Sequence, residues 1–140
     1  MTLLITITTD IATCRALRRT VFIEEQGVSE ADEVDDQDGA AIHLLARLDG
    51  FPMGTARLVV SGEVGKIGRV CVLSGHRGAG HGAALIRAAV AQLRTIPGIR
   101  FAKLGAQTHA LGFYTALGFS GVGDEFNDAG IPHREMVMQL

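Results

Sequence analysis

A glycine-rich turn near the middle of the chain has the residue types of an anion-binding site. The segment Arg77–Gly82 reads Arg-Gly-Ala-Gly-His-Gly and separates an apolar, strand-like stretch from an amphipathic, helical one. Glycine lets a ligand approach the main chain closely, because no Cβ stands in the way. The first N–H groups of a helix lack intrahelical acceptors and carry the positive end of the helix dipole. The turn is therefore predicted to bind a phosphate or pyrophosphate through main-chain amides.

The spacing of residues within this turn distinguishes between several kinds of glycine-rich loop. A tight turn that binds nothing is the simplest alternative. A dinucleotide fingerprint would place a third glycine at Ala83 and an acidic residue about 20 positions later, but the next acid is Asp124. A Walker A loop would end in Gly-Lys-Ser/Thr, which is absent. The pattern R-x-x-G-x-G, formed by Arg77, Gly80 and Gly82, fits at every position.

The distribution of charge also indicates a small anionic ligand. The net charge is −2, yet no acidic residue occurs between Val64 and Gly123. The basic residues of that stretch are Lys66, Arg69, Arg77, Arg87, Arg94, Arg100 and Lys103. They are dispersed, and the sequence pI is about 6.2, whereas nucleic-acid-binding domains are more often basic overall. We expect a compact polyphosphate ligand and no nucleic acid.

A second motif follows the turn after one predicted helix and one predicted strand. It reads A-x-x-F-Y-x-x-L-G-F from Ala110 to Phe119 and contains Tyr114, the only tyrosine. With the two motifs together, the chain resembles the GNAT acetyltransferase superfamily over essentially its whole length. Further segments resemble a bacterial subgroup called ElaA-like: Val21–Gln26, Gly54–Arg57, Lys66–Arg69 and Gly130–His133.

The resemblance implies a co-substrate, acetyl-CoA, and a way of binding it. In this family the strand before the pyrophosphate loop bulges and separates from the next strand, and the pantetheine arm pairs with its backbone. The implied backbone contacts are Val70, Cys71 and Val72. The implied pyrophosphate contacts are the amides of Arg77, Gly78, Ala79, Gly80, His81 and Gly82. Gln107 stands where many relatives carry an asparagine that contacts CoA, so it keeps the amide on a longer side chain.

The resemblance also implies the reaction. A primary amine of a small molecule or peptide would attack the thioester directly in a ternary complex. Tyr114 would be the general acid that protonates the leaving thiolate, and a backbone N–H at Val70 or Val72 would stabilise the developing oxyanion. Tyr114 could instead serve only as a packing aromatic. A non-catalytic, CoA-binding regulatory module is the alternative function.

The general base is not fixed by the sequence, because the predicted strand Lys66–Leu73 contains no carboxylate. Glu24 and His43 are candidates. Glu25, an aspartate of the acidic segment described next, and His133 are others, acting directly or through water. No metal is expected.

The segment Glu30–Gly39 carries six carboxylates. It does not fit a calcium-binding loop, because Val34 would occupy the first ligand position when Gly39 is aligned at the sixth. Two interpretations remain open: a solvated loop, or the lip of a binding site for a cationic acceptor amine.

Hydrophobic periodicity predicts the elements that must position these residues. Strands are predicted within Met1–Thr9 and at 42–48, 55–60, 66–73, 100–107, 119–122 and 134–140, and helices at 11–26, 83–94 and 109–117. The order is β-α-β-β-β-α-β-α-β-β, with a loop at 27–40. The resemblance implies an α/β (α+β) GNAT fold: a mixed, mostly antiparallel sheet of six to seven strands flanked by about four helices.

Length and composition predict a single domain over residues 1–140, and the resemblance implies that it is an N-acetyltransferase domain. No apolar run approaches the roughly 20 residues that span a bilayer, so no membrane partner is expected. Cys14 and Cys71 lack metal-binding spacing and are predicted to be reduced thiols in a cytoplasmic protein. A homodimer is expected because relatives often dimerise.

Overall fold

Seven strands form one sheet in the order β1-β2-β3-β4-β5-β7-β6 in the computed structural model, which describes residues 1–140. The strands are β1 (Leu3–Thr8), β2 (Ile42–Leu48), β3 (Phe51–Ser61), β4 (Val64–Val72), β5 (Phe101–Gln107), β6 (Ser120–Asp128) and β7 (Ile131–Gln139). The α-helices are α1 (Ile11–Arg18), α2 (Glu30–Glu33), α3 (His81–Arg94) and α4 (Leu111–Ala116). A π-helical segment, Arg19–Glu25, continues α1, and 3₁₀ turns occupy Ser74–His76 and Thr108–Ala110.

The predicted mixed α/β architecture is confirmed. All strand pairs are antiparallel except β4 and β5, which are parallel and are connected through α3. Leu44 and Ala46 pack in the main core with α3, whereas Leu45 packs with α1 and Cys71 in a smaller cluster. Because successive strand residues point to opposite faces, α1 and α3 cover opposite faces of the sheet.

Strands β4 and β5 pair over a short length and then separate. Their register is Val64 with Phe101, Gly65 with Ala102 and Lys66 with Lys103, and no pair follows. The C-terminal half of β4 therefore has a backbone edge with no neighbouring strand on the β5 side.

The same half of β4 contains a β-bulge. Thr55 and Arg57 of β3, two residues apart, pair with Cys71 and Gly68 of β4, three residues apart. The extra residue lies in β4, where Arg69 has a φ of 50°, a conformation that is uncommon for a residue with a side chain. The bulge and separation expected from the resemblance are both present.

Several elements differ from the sequence-based prediction, and β3, for example, begins at Phe51 and not at residue 55. The helix expected over 11–26 changes from α to π winding at Arg19, and the loop expected over 27–40 contains α2. The last two strands are longer than 119–122 and 134–140 and form a hairpin, β6–β7. Strand β6 is exposed along nearly its whole length, so it shows no alternation of buried and exposed residues to predict it.

None of the helices has both the length and the apolar character needed to cross a membrane. Cys14 and Cys71 are free thiols and both are buried.

Candidate functional site

A cleft of about 730 Å³ opens where β4 and β5 separate. One wall is the second half of β4, and the other is formed by the end of β5 and the tip of the β6–β7 hairpin. Phe22 of the π-helical segment, Gln26 directly after it and Asp32 of α2 line one rim, and the turn before α3 closes one end. The cleft therefore gathers elements from both halves of the chain around the open edge of β4.

The glycine turn presents free amides to this cleft. Gly78 and Gly80 each have a φ of 83°, a left-handed conformation that favours glycine. Gly80 is the N-cap of α3, and no side chain caps this helix end. The first-turn N–H groups of α3 are thus available to a ligand, as the sequence predicts for an anion site. Gly78, Gly80, His81 and Gly82 line the cleft, whereas Ala79 does not.

Arg77 is engaged by protein groups rather than directed at a free ligand position. Its Nε donates to the carbonyl of Val72 at 2.9 Å, and its two Nη atoms donate to the carboxylate of Glu25. This ion pair raises the pKa of Arg77 and lowers the pKa of Glu25. The side chain therefore ties the turn to the end of β4 and to the π-helical segment. The main-chain N–H of Arg77 donates to the carbonyl of Ser74 at 3.4 Å, so this amide, expected from the resemblance to bind pyrophosphate, is already engaged.

Tyr114 lies on α4 and also lines the cleft. Its ring makes edge-to-face contacts with Phe113 and Phe119, with centroids 5.0 and 6.2 Å away. Burial raises the pKa of Tyr114 above the ordinary phenol value. The raised pKa means that the hydroxyl is protonated at neutral pH, and it makes no hydrogen bond within the protein.

The β4 positions Val70, Cys71 and Val72 line the cleft beside the bulge. Burial raises the pKa of the Cys71 thiol to about 12, so this thiol stays protonated and is no nucleophile. In this segment, the groups available to a ligand are the main-chain N–H and C=O groups on the β5 side.

Gln107, at the end of β5, links two parts of the cleft rim. Its Nε2 donates to Oε1 of Gln26 at 3.2 Å, and its Oε1 is bonded to Nε2 of His109 at 2.7 Å. The longer side chain thus reaches across to the π-helical segment.

The residues considered as the general base lie in different parts of the structure. Glu24 is exposed and lies outside the cleft, and Glu25 is paired with Arg77. His43 is only 3% exposed, lies outside the cleft and bonds through Nε2 to the carbonyl of Asp38 at 2.9 Å. His133 lines the cleft from β7. Of these two glutamates and two histidines, only His133 lines the cleft.

The acidic segment is largely an ion-pair network, so its interpretation as a solvated loop is wrong for its key members. Glu33 and Asp38 are only 5% and 3% exposed. Asp38 accepts two bonds of 2.8 Å from Arg18, which also donates to Glu33 at 2.8 Å. Arg57 donates to Asp38 and, through both Nη atoms, to Asp35. These arginines hold the pKa of Asp38 far below its usual range.

This network also fixes the bulge. Nη2 of Arg69 donates to the carbonyl of Glu33 at 3.0 Å and to Asp35 at 3.3 Å. These bonds offset the unfavourable backbone conformation of Arg69. Among the residues of the acidic segment, Asp32 and Glu33 line the cleft. Sequence reasoning missed the network because its arginines come from three separate elements.

The model of the GNAT acetyltransferase domain matches residues 13–140. The chain belongs to the GNAT acetyltransferase family. A Bacillus subtilis (strain 168) protein classed as an acetyltransferase is 39% identical to this GNAT domain over 133 residues, which is 93% of this chain and 90% of that protein. The predicted family is thereby confirmed.

Solved structures of similar proteins agree with the fold of this GNAT domain. An acyl-CoA N-acyltransferase from Pseudomonas aeruginosa superposes with a TM-score of 0.88 at 30% identity, covering 98% of this chain and 99% of that one. Escherichia coli ElaA superposes with a TM-score of 0.87 at 26% identity, with the same coverage. The resemblance to ElaA seen in the motifs therefore extends to the whole architecture.

Proposed function

We propose that this GNAT domain transfers the acetyl group of acetyl-CoA to a primary amine of a small molecule or peptide. The amine attacks the thioester directly while both substrates are bound. The observation that carries the proposal is that one cleft contains the open edge of β4 and the uncapped N terminus of α3. The first can pair with an extended amide-containing arm and the second can bind a diphosphate.

The residues of the cleft fit such a co-substrate. The free backbone groups of Val70, Cys71 and Val72 would pair with the pantetheine amides, as another strand would. The amides of residues 78–82 would hold the diphosphate, because glycine leaves the N–H groups of this turn accessible. The side-chain amide of Gln107 would contact the arm after releasing Gln26. A cleft of about 730 Å³ lies within the range of small-ligand sites.

Two groups of the protein would promote the attack on the thioester and the departure of its sulfur. A main-chain N–H at the bulge, from Val70 or Val72, would donate to the carbonyl oxygen as negative charge develops there, which is commonly worth about 2.7–4 kcal/mol. Tyr114 would give its proton to the departing sulfur. Its raised pKa keeps the phenol protonated at neutral pH, and general acid catalysis typically contributes about 10²–10⁴-fold.

The test is thiol release from acetyl-CoA with a panel of polyamines, amino acids, aminoglycosides and peptide N-termini. Release that depends on one class of amine, with intersecting double-reciprocal plots, is expected for direct transfer in a ternary complex. A non-catalytic CoA-binding module would bind CoA in calorimetry and release no thiol with any amine. If the cleft is instead a site for other polyphosphates, its affinity for desulfo-CoA should be no higher than its affinity for those compounds. The two buried free thiols agree with the reducing cytoplasm as the proposed location.

A further inference from the structure

His133 has a defined tautomer with one free ring nitrogen. Its Nδ1 lies 2.7 Å from the main-chain oxygen of Ile131. A carbonyl oxygen only accepts hydrogen bonds, so Nδ1 must carry the proton, and Nε2 of the neutral ring then holds a lone pair. Nε2 has no partner in the protein and is not sealed from the cleft.

The imidazole is held rigidly although it is free at one nitrogen. The side chain is buried, with 9% of the residue exposed, and stacks on Phe126 with centroids 5.8 Å apart and planes inclined by 27°. A Cβ at Gly105 would lie 3.5 Å from Phe126 and 3.9 Å from Cδ2 of His133. The ring therefore lies against a glycine of β5, on the strand that forms the far wall of the cleft.

The position along the strands puts this ring opposite the bulge. The last parallel pair is Lys66 with Lys103. Continuing that register past the point of separation brings Gly105 level with Gly68, one residue before the bulged Arg69. A Cβ at Gly68 would meet nothing within 4 Å, so the β4 wall of the cleft is open at this level. This is where an acyl carbonyl bonded to a bulge N–H would meet an incoming amine.

The other ionisable groups of this part of the cleft are less suited to accept a proton. Glu33 and Arg69 are bonded within the ion-pair network, as described above. Lys66 is a cation with no acceptor site. Asp32 and Asp128 are exposed carboxylates at the rim, where nothing in the protein holds them in position. His43 has an unpaired nitrogen too, but its Nδ1 is enclosed in the interior.

We propose that Nε2 of His133 is the general base that takes the proton of the acceptor amine; this inference rests on the proposed function. Nε2 takes one proton from the ammonium form of the acceptor, and the neutral amine nitrogen then forms the C–N bond to the acyl carbon. The C–S bond breaks, and the sulfur takes the hydroxyl proton of Tyr114. Afterwards the imidazolium loses its proton to solvent, and the phenolate takes the remaining surplus proton of the new amide nitrogen, which restores both side chains.

The main test compares His133→Asn with wild type. The asparagine amide can still donate to the carbonyl of Ile131 but offers no basic nitrogen. We expect a loss of about 10²-fold or more in kcat/KM for an ordinary aliphatic amine, with an unchanged Kd for CoA. The loss should be much smaller for an acceptor amine whose pKa is below the assay pH, since most of it is already neutral. His76→Asn, at a histidine outside the cleft, is the matched control and should behave as wild type.

Two further measurements distinguish a base from a packing residue. His133→Ala leaves a ring-sized space, and added imidazole should restore part of its activity. ¹⁵N NMR of the wild-type imidazole should show a protonated Nδ1 and a bare Nε2 whose resonance moves when an acceptor amine is added without acetyl-CoA. This readout needs no variant, so it holds even if His133→Asn fails to fold.

Full turnover in His133→Asn, an equal loss with acceptors of every pKa, or a protonated Nε2 in the neutral ring would each overturn the inference. These results differ from a failure of the proposed function, in which wild type itself releases no thiol with any amine.

Discussion

Glu25 and Arg77, 52 residues apart in the chain, are joined by a two-pronged ion pair in which Nη2 lies 2.9 Å from Oε1. The pair connects the end of the π-helical segment to the first residue of the glycine turn. Nε of the same guanidinium holds the carbonyl of Val72, so a single side chain ties together three walls of the cleft. The side chain of the arginine in the R-x-x-G-x-G motif thus holds the glycine turn in position.

Replacing Glu25 with glutamine should weaken CoA binding without abolishing it. The pair is about two-fifths exposed on each side, and such pairs contribute modestly. We expect the Kd for CoA in calorimetry to rise about two- to fivefold. Glu30→Gln removes a comparable pair with Arg19 away from the turn and should leave the Kd unchanged. An equal rise in both variants would mean that general charge, rather than this contact, sets the affinity.

Tyr114→Phe should lower turnover far more than cofactor affinity. Phenylalanine keeps the edge-to-face contacts with its neighbours but has no proton to give. We expect kcat to fall about 10²-fold or more, with little change in the Kd for CoA or in thermal stability. Because burial raises the pKa of Tyr114, wild type should show no loss of this acid below about pH 10, the ordinary phenol value. If turnover and affinity fall equally, the hydroxyl is not the acid.

Asp38→Asn should destabilise the fold strongly. The substitution leaves the buried Arg18 and Arg57 short of a charged partner, and breaking a buried pair typically costs about 3–5 kcal/mol. Urea unfolding measures the change, with Glu30→Gln as the exposed control, where no measurable change is expected. A small effect at Asp38 would show that the network rearranges. Neutralising Asp35, Asp36 and Asp38 together would therefore report on folding before it reported on an acceptor.

Acid should unfold the protein in a defined pH window. The pKa values of Asp35 and Asp38 are lowered by their arginine partners, so the unfolded chain binds protons at a higher pH than the folded one. Their contribution to stability is complete above the unfolded value near 4 and is lost as the pH falls below it. We expect the urea midpoint to be nearly constant from about pH 7 to pH 5 and to fall steeply below pH 4. In Asp38→Asn this fall should be shallower.

Alanine substitutions at two glycines of neighbouring strands should have different effects, one on stability and the other on activity. A Cβ at Gly54 would lie 2.9 Å from Leu85 and 3.0 Å from the carbonyl of Cys71, so Gly54→Ala should cost about 1–3 kcal/mol of stability. Gly68→Ala meets nothing and should fold normally, yet its methyl group narrows the cleft beside the bulge and should lower kcat/KM. Equal stability of the two variants in urea would contradict the packing described for β3 and β4.

The sequence was sufficient for those parts of the site that depend on local patterns. The glycine turn and the helix after it follow from residue spacing, and so do the strands whose side chains alternate between core and solvent. Tyr114 follows from the family resemblance. The β6–β7 hairpin was underestimated because Asp124, Glu125 and Asn127 resemble loop residues, and an exposed edge strand has no buried face to reveal it.

Long-range partners explain the remaining differences. From the sequence alone, Glu33 and Asp38 are expected to be surface acids, because only the fold brings Arg18 and Arg57 close to them. The free nitrogen of His133 likewise depends on a bond to a carbonyl two residues away and on a neighbouring glycine of another strand. Neither is visible as a motif of spaced residues.

The wide winding between Arg19 and Glu25 makes the number of residues in this stretch as important as their identity. Deleting one residue there would restore ordinary α winding and turn everything beyond it by about 100° around the helix axis. Glu25 would swing away from Arg77, and Phe22 and Gln26 would leave the cleft wall. Homologous chains should therefore gain and lose residues in the connection after Gly27 and keep this stretch at constant length.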